Sequence, residues 1–200
     1  MQLTETTLRS LYESKGLSVT DIERKYNLKR NAVTRRLKKY GIEIKETVNE
    51  CAVRFVSHAL QNRGYEVAGQ GEESMYDLLI DNQLRVKVLS SAKLNEDEAF
   101  RFALTDKCRN QERRGNRETA CCYTLPNGRV RKRYKAFCEV LALVGICEGE
   151  CYVWFLPAKD VTDTLQTLRL PITGQSKYNP YRNRYGLLDT CMEIDSRQIG

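Results

Sequence analysis

Residues 76–93, YDLLIDNQLRVKVLSSAK, constrain the fold more tightly than any other stretch of the chain. Their alternation of apolar and polar side chains predicts two β-strands joined by a short turn, with an acid, Asp77, on the first and a lysine, Lys87, on the second. Such a pair commits the chain to a sheet, and its neighbours say which kind. Thr47 and Glu50 have the spacing of a capping box. Ala52, Phe55, Val56, Ala59 and Leu60 then make one apolar helical face that ends at Gly64. Further strands are predicted over 65–67, 100–104, 137–146 and 151–156, the last two joined by Glu148-Gly-Glu, with a late helix over 159–167. A helix followed by a mostly β core and a late helix points to an α/β domain with a mixed sheet, spanning residues 46–200.

The first 45 residues have a different pattern. Leu8, Leu11 and Tyr12 give helical spacing from Thr4 to Lys15, stopped by Gly16. Ser18 stands three residues before Asp21 as an N-cap, opening a short helix with Ile22 inward, and Tyr26-Asn27-Leu28 makes a turn. A third helix is predicted from Lys29 to Tyr40, with Val33 and Leu37 inward and Gly41 closing it. Its outward face is Lys29, Arg30, Asn31, Thr34, Arg35 and Lys38.

The net charge of +7 is unevenly spread. Residues 1–45 carry +6 and residues 107–135 carry +8, which leaves −7 for the rest of the chain. Two basic blocks on an acidic body suit two contact zones for a polyanion. No run of about 18 apolar residues is present, and the N-terminal MQLTETTLRSLYESKG lacks the order of a secretory signal, so a cytoplasmic protein with no membrane span is expected. Eight cysteines without a repeated CxxC pair read as reduced thiols. A zinc site drawn from Cys108, Cys121, Cys122 and Cys138, or from Cys147 and Cys151, competes with the reading of CEGEC as a hairpin turn.

The segment GLSVTDIERKYNLKRNAVTRRLKKYGI resembles the helix-turn-helix family. That resemblance implies a third helix in the major groove of double-stranded DNA, with Arg30, Asn31, Thr34 and Arg35 at base edges and Lys29, Arg36, Lys38 and Lys39 on phosphates. From about Asn49 to Leu170 the chain resembles the PD-(D/E)XK nuclease superfamily: a helix ending in NRGYEV, the strand YDLLID, the strand VKV and the later CYVWFLPAKDV. The fold so implied is a three-helix helix-turn-helix domain, residues 1–45, ahead of a mixed-sheet nuclease domain with a basic arm at 107–135.

Phosphodiester hydrolysis explains the superfamily's motif. A hard divalent ion such as Mg2+ takes carboxylate oxygens, polarises the phosphate and lowers the pKa of attacking water, while a lysine orients the water or neutralises charge. The resemblance assigns Asp77 to metal binding and catalysis. The second strand aligns in two registers. In one, Arg85-Val-Lys87 stands for the acid-x-lysine triplet; in the other, Lys87 replaces the acid and Leu89 the lysine. Positions 85, 87 and 89 share one face, so alternation does not choose. Glu50 is a further catalytic candidate about one turn earlier than the superfamily's helix acid, and equally the capping partner of Thr47. Glu73 and Asp81 flank the first strand, and His58, the only histidine, faces away from the apolar stripe.

In the basic arm, YTLPNGRVRKRY predicts a hairpin that gathers Arg129, Arg131, Lys132 and Arg133 for phosphate contact. The later SKYNPYRNRY either reaches nucleic acid through its tyrosines and cations or docks on the body. The expected protein is a Mg2+-dependent DNA endonuclease of phage or mobile-element type, acting as a homodimer. The alternative is a repressor or architectural factor that keeps the nuclease scaffold without its activity.

Overall fold

The computed structural model describes residues 3–29, 31–71, 74–107 and 120–198, which divide into two compact units, Met1–Glu46 and Thr47–Gly200. In the first unit, α1 (Glu5–Arg9) is capped by Thr4 Oγ1, which accepts from Thr7 N at 3.3 Å. The helix does not run to Lys15 in one form. It widens into a π-helical turn over Ser10–Ser14, closed by Lys15 N donating to Ser10 O at 2.9 Å. Ser18 caps α2 (Val19–Lys25) by accepting from Asp21 N at 3.2 Å. The third helix, α3, spans Ala32–Lys39 and starts later than its side-chain pattern predicts. Asn31 has φ 63, a left-handed conformation that asparagine tolerates, so Lys29 and Asn31 lie in the turn ahead of the helix. Leu8, Leu11, Tyr12, Ile22, Val33, Leu37 and Ile42 form the core of this unit. Glu23 of α2 is buried and accepts from Val33 N at 3.3 Å, so its carboxylate meets the positive end of α3 and braces the turn.

The second unit opens with α4 (Val48–Gln61), whose capping box is complete: Glu50 N donates to Thr47 Oγ1 at 3.2 Å and Thr47 N to Glu50 Oε2 at 2.7 Å. The strands follow as β1 (Val67–Gly69), β2 (Leu78–Ile80), β3 (Leu84–Ser91), β4 (Ala99–Ala103), β5 (Thr105–Lys107), β6 (Cys122–Thr124), β7 (Arg129–Lys132), β8 (Val140–Cys147), β9 (Glu150–Pro157) and β10 (Thr167–Pro171); α5 (Leu187–Gln198) comes last. The main sheet is mixed, in the order β1-β2-β3-β8-β9. Its pairings are antiparallel except β3 with β8, where Val86 stands beside Val140 and Lys87 beside Leu141. An antiparallel pair, β4 with β10, and a small sheet, β5-β7-β6, complete the strands.

Alternation along β3 and β8 sorts two cores. Val86, Val88, Val140, Ala142 and Val144 pack with Ala52, Val56 and Leu60 of α4 and Leu188 of α5. On the other face, Leu141, Leu143 and Trp154 pack with Phe100, Phe102 and Leu168 from β4 and β10. Because β8 is covered on both sides, it reads as a continuous apolar run. The close approach leaves no room at Gly145, where an added Cβ would lie 2.3 Å from Cδ2 of Phe100.

The late helix predicted over 159–167 is not formed. A 3-10 turn spans Ala158–Asp160, and the chain then runs irregularly into β10. The carbonyls of Thr162 and Asp163, which a helix would turn into its own ladder, instead accept from the Arg131 guanidinium at 3.0 and 3.1 Å. CEGEC is a tight hairpin between β8 and β9, with Glu148 and Gly149 at φ 54 and 84.

Candidate functional site

The hairpin of β2 and β3 brings Asp77 and Lys87 together. Asp77 lies just ahead of β2, where its N–H donates to Val86 O at 3.0 Å. Its two carboxylate oxygens take different partners: Oδ1 accepts from Lys87 Nζ at 2.9 Å and Oδ2 from Val88 N at 2.6 Å. Both side chains are largely buried, at 18% and 16% exposure, so this ion pair is less screened by water than a surface one. They line a cleft of about 510 Å³ with Glu50 and Arg54 of α4 and Gln70 and Ser74 of the β1–β2 connection.

Leu89 packs into the second core, so the residue that meets Asp77 is Lys87. Arg85, on the same alternate set of β3 positions, is held by Glu139, a residue the sequence reading passed over. Glu139 Oε2 accepts from Arg85 N at 2.7 Å, and its Oε1 accepts from Arg85 Nε at 3.1 Å and from Nη2. That hydrogen bonding raises the Arg85 pKa above its usual value. The parallel register that sets Val140 beside Val86 is what places Glu139 against Arg85, 54 residues apart in sequence. No local pattern signals it; an acid at the start of a fully apolar strand is the only hint.

Glu50 serves the capping box and also borders the cleft. Asp81 accepts from Glu66 N at 2.8 Å in the hairpin turn, and His58 is exposed on α4; neither lines the cleft. Glu73 and Arg30 lie outside the described residues, as does the arm from 108 to 119, including Cys108. Among the described residues, no three His, Cys, Asp or Glu side chains gather to hold an ion. Asp77 and Glu50 both border the cleft, and both carboxylates already accept from the protein: Asp77 from Lys87 Nζ and Val88 N, and Glu50 from Thr47 N.

In the first unit, Lys29, Ala32, Arg35, Arg36 and Lys39 border a second cleft, of about 420 Å³, floored by Leu28. Lys29, Asn31, Arg35 and Lys38 are exposed, and Thr34 is half-buried. Around β7 the expectation that Arg129, Arg131, Lys132 and Arg133 gather for phosphate contact needs correction at Arg131. Arg129 is exposed, and Lys132 and Arg133 are half-buried, with Arg133 over the Tyr123 ring at 5.1 Å. Arg131 is completely buried. It donates to the carbonyls of Leu104, Lys132, Thr162 and Asp163, and burial lowers its pKa. A charge so enclosed cannot reach a phosphate. The tyrosine-rich SKYNPYRNRY docks on the body: Asn183 N donates to Val153 O at 2.9 Å, Arg182 lies over Tyr152, and Tyr185 packs on Phe155. It thereby covers the outer edge of β9.

Among solved structures, the chain is similar to a bacterial homing endonuclease, I-Ssp6803I, with a TM-score of 0.50, 16% identity, and coverage of 77% of this chain and 99% of that one. No protein-family model matches the chain, and no curated protein matches it. At that identity the likeness is one of fold: a mixed α/β unit of the homing-endonuclease kind. Among the described residues, no helix is long and apolar enough to cross a membrane.

Proposed function

We propose that the protein is a DNA endonuclease of mobile-element type, binding DNA through α3 as a helix-turn-helix and hydrolysing a phosphodiester in the cleft of Asp77 and Lys87. The observation that carries the reading is the Asp77–Lys87 pair, 2.9 Å apart, bordering an open cleft at the β2–β3 hairpin of a homing-endonuclease-like fold. The basic surface around α3 supports the DNA-binding half. Exposed Asn31 and Arg35 with Thr34 suit base edges, and Lys29, Lys38 and Lys39 suit phosphates. Arg129, Lys132 and Arg133 add a second phosphate contact.

Mg2+, held by Asp77 with Glu50, would supply the polarisation of the phosphate and the acidified attacking water. Lys87, already aimed at Asp77 Oδ1, donates to phosphate oxygens as charge develops on them. Val88 N fixes the other oxygen of Asp77 and so the orientation of the carboxylate. Cutting both strands with one such cleft per chain calls for two copies, hence a homodimer.

A second reading, a DNA-binding repressor or architectural factor without cleavage, is favoured by one specific feature. Both oxygens of Asp77 are already engaged by the protein, and no third acid joins it among the described residues. The experiment is cleavage of a DNA library with Mg2+ or Mn2+ by the wild type, Asp77→Asn and Lys87→Ala, beside binding in chelator. Metal-dependent cutting by the wild type, lowered at least ~100-fold in both variants while binding persists, is expected. Binding without cutting by the wild type sinks the enzymatic reading and leaves the second.

A further inference from the structure

Arg85 is two residues from Lys87 on β3 and outside the lining of the cleft, yet the fold fixes it with care. Its backbone N–H, its Nε and its Nη2 all donate to one carboxylate, Glu139. Side-chain exposure is 41% for Arg85 against 20% for Glu139, so the acid is the more enclosed partner and the guanidinium faces solvent. Its Nη1 group donates to no protein oxygen among the described residues. A guanidinium with one edge pinned and another presented is the arrangement that binds a phosphate with little loss of side-chain freedom.

Position along the strand says which phosphate. Arg85 and Lys87 are alternate residues of β3, the set not turned to the first core, so their Cα atoms are about 6.6 Å apart. Two cations at that interval match neighbouring phosphates of one nucleic-acid strand. We propose that Arg85, oriented by Glu139, grips the phosphate next to the one held at Lys87, so that a DNA strand runs from the cleft along β3 as a track of successive phosphates. This rests on the reading of the protein as DNA-binding and names how its second unit engages the strand. Glu139 is a positioning residue; it touches Arg85 and not the substrate.

The test is the salt dependence of binding to a labelled duplex oligonucleotide of random sequence, in chelator so that cutting plays no part. The decisive variant is the double substitution Arg85→Gln with Glu139→Gln, which removes both charges and leaves the net charge unaltered. If the pair were a neutral structural clip, the double variant would bind like the wild type. A phosphate grip predicts a slope of log K against log salt shallower by about 1 and an affinity lower by about tenfold near 0.1 M salt. Glu139→Gln alone removes a negative charge, which by Coulomb attraction should tighten binding; a positioning role predicts weaker binding instead. Matching urea midpoints by Trp154 fluorescence for the double variant and the wild type exclude a folding effect. An unaltered slope in the double variant overturns the grip, and tighter binding by Glu139→Gln overturns the positioning role. A wild type that fails to bind DNA overturns this inference and the proposed function together, whereas binding without cutting leaves this inference standing.

Discussion

Arg131→Met separates a structural cation from a DNA contact. Methionine keeps much of the arginine's apolar length in the second core but cannot donate. Three carbonyls from other segments, Leu104 at 3.4 Å, Thr162 at 3.0 Å and Asp163 at 3.1 Å, then lose the guanidinium, although Asp163 O keeps the Tyr123 hydroxyl at 2.6 Å and Thr162 O keeps Leu165 N at 3.2 Å. Losing a bond to a charged donor costs about 1.5–3 kcal/mol, and less where a second donor stays on the same carbonyl. Against this, methionine avoids the desolvation of a fully buried guanidinium, which offsets part of the loss. The expected net cost is about 3 kcal/mol. With an m-value of about 2 kcal/mol/M, the urea midpoint should fall by about 1.5 M. Trp154, the chain's only tryptophan, lies in the same core, so its fluorescence follows this unit alone. The salt slope of DNA binding should stay unaltered below the transition. A midpoint equal to that of the wild type, with the slope reduced by about 1, would show that Arg131 reaches a phosphate and refute the structural account.

Gly145→Ala drives a methyl group into the Phe100 ring and should cost about 1–3 kcal/mol, measured as a lower urea midpoint; Phe100→Leu in the same chain should return part of it. An unaltered midpoint for Gly145→Ala would mean that the two layers are not in contact there. The Tyr65 hydroxyl, pushed up to about 12 by burial and by its 2.7 Å hydrogen bond to Asp189, stays protonated in the folded state after the unfolded chain has lost its proton near 10. Stability should therefore fall as pH rises from about 10 to about 12. Tyr65→Phe should remove that part of the fall, and an identical pH profile in both proteins would count against the assignment.

The sequence by itself determined the elements whose signals are local. The alternation from 78 to 91 placed the β2–β3 hairpin, Thr47 and Glu50 placed the start of α4, and Ile22, Val33 and Leu37 marked the inward faces of the first unit. It also put Asp77 and Lys87 within reach of each other, because a hairpin pairs residues a few positions apart. Which residue of that face met Asp77 was decided by the core, since Leu89, beside Leu143, packs into the second core and Lys87 is left to the carboxylate. Tertiary structure alone set Glu139 against Arg85, across a parallel register that no short-range pattern encodes. It also buried Arg131 while leaving Arg129 in solvent, although both are arginines two apart on one strand. Residue type records that a side chain carries a charge; only the surrounding chain decides whether carbonyl oxygens or water will meet it. The same limit applied to residues 159–167, where helical spacing was overruled because their carbonyls were claimed by a guanidinium from another strand.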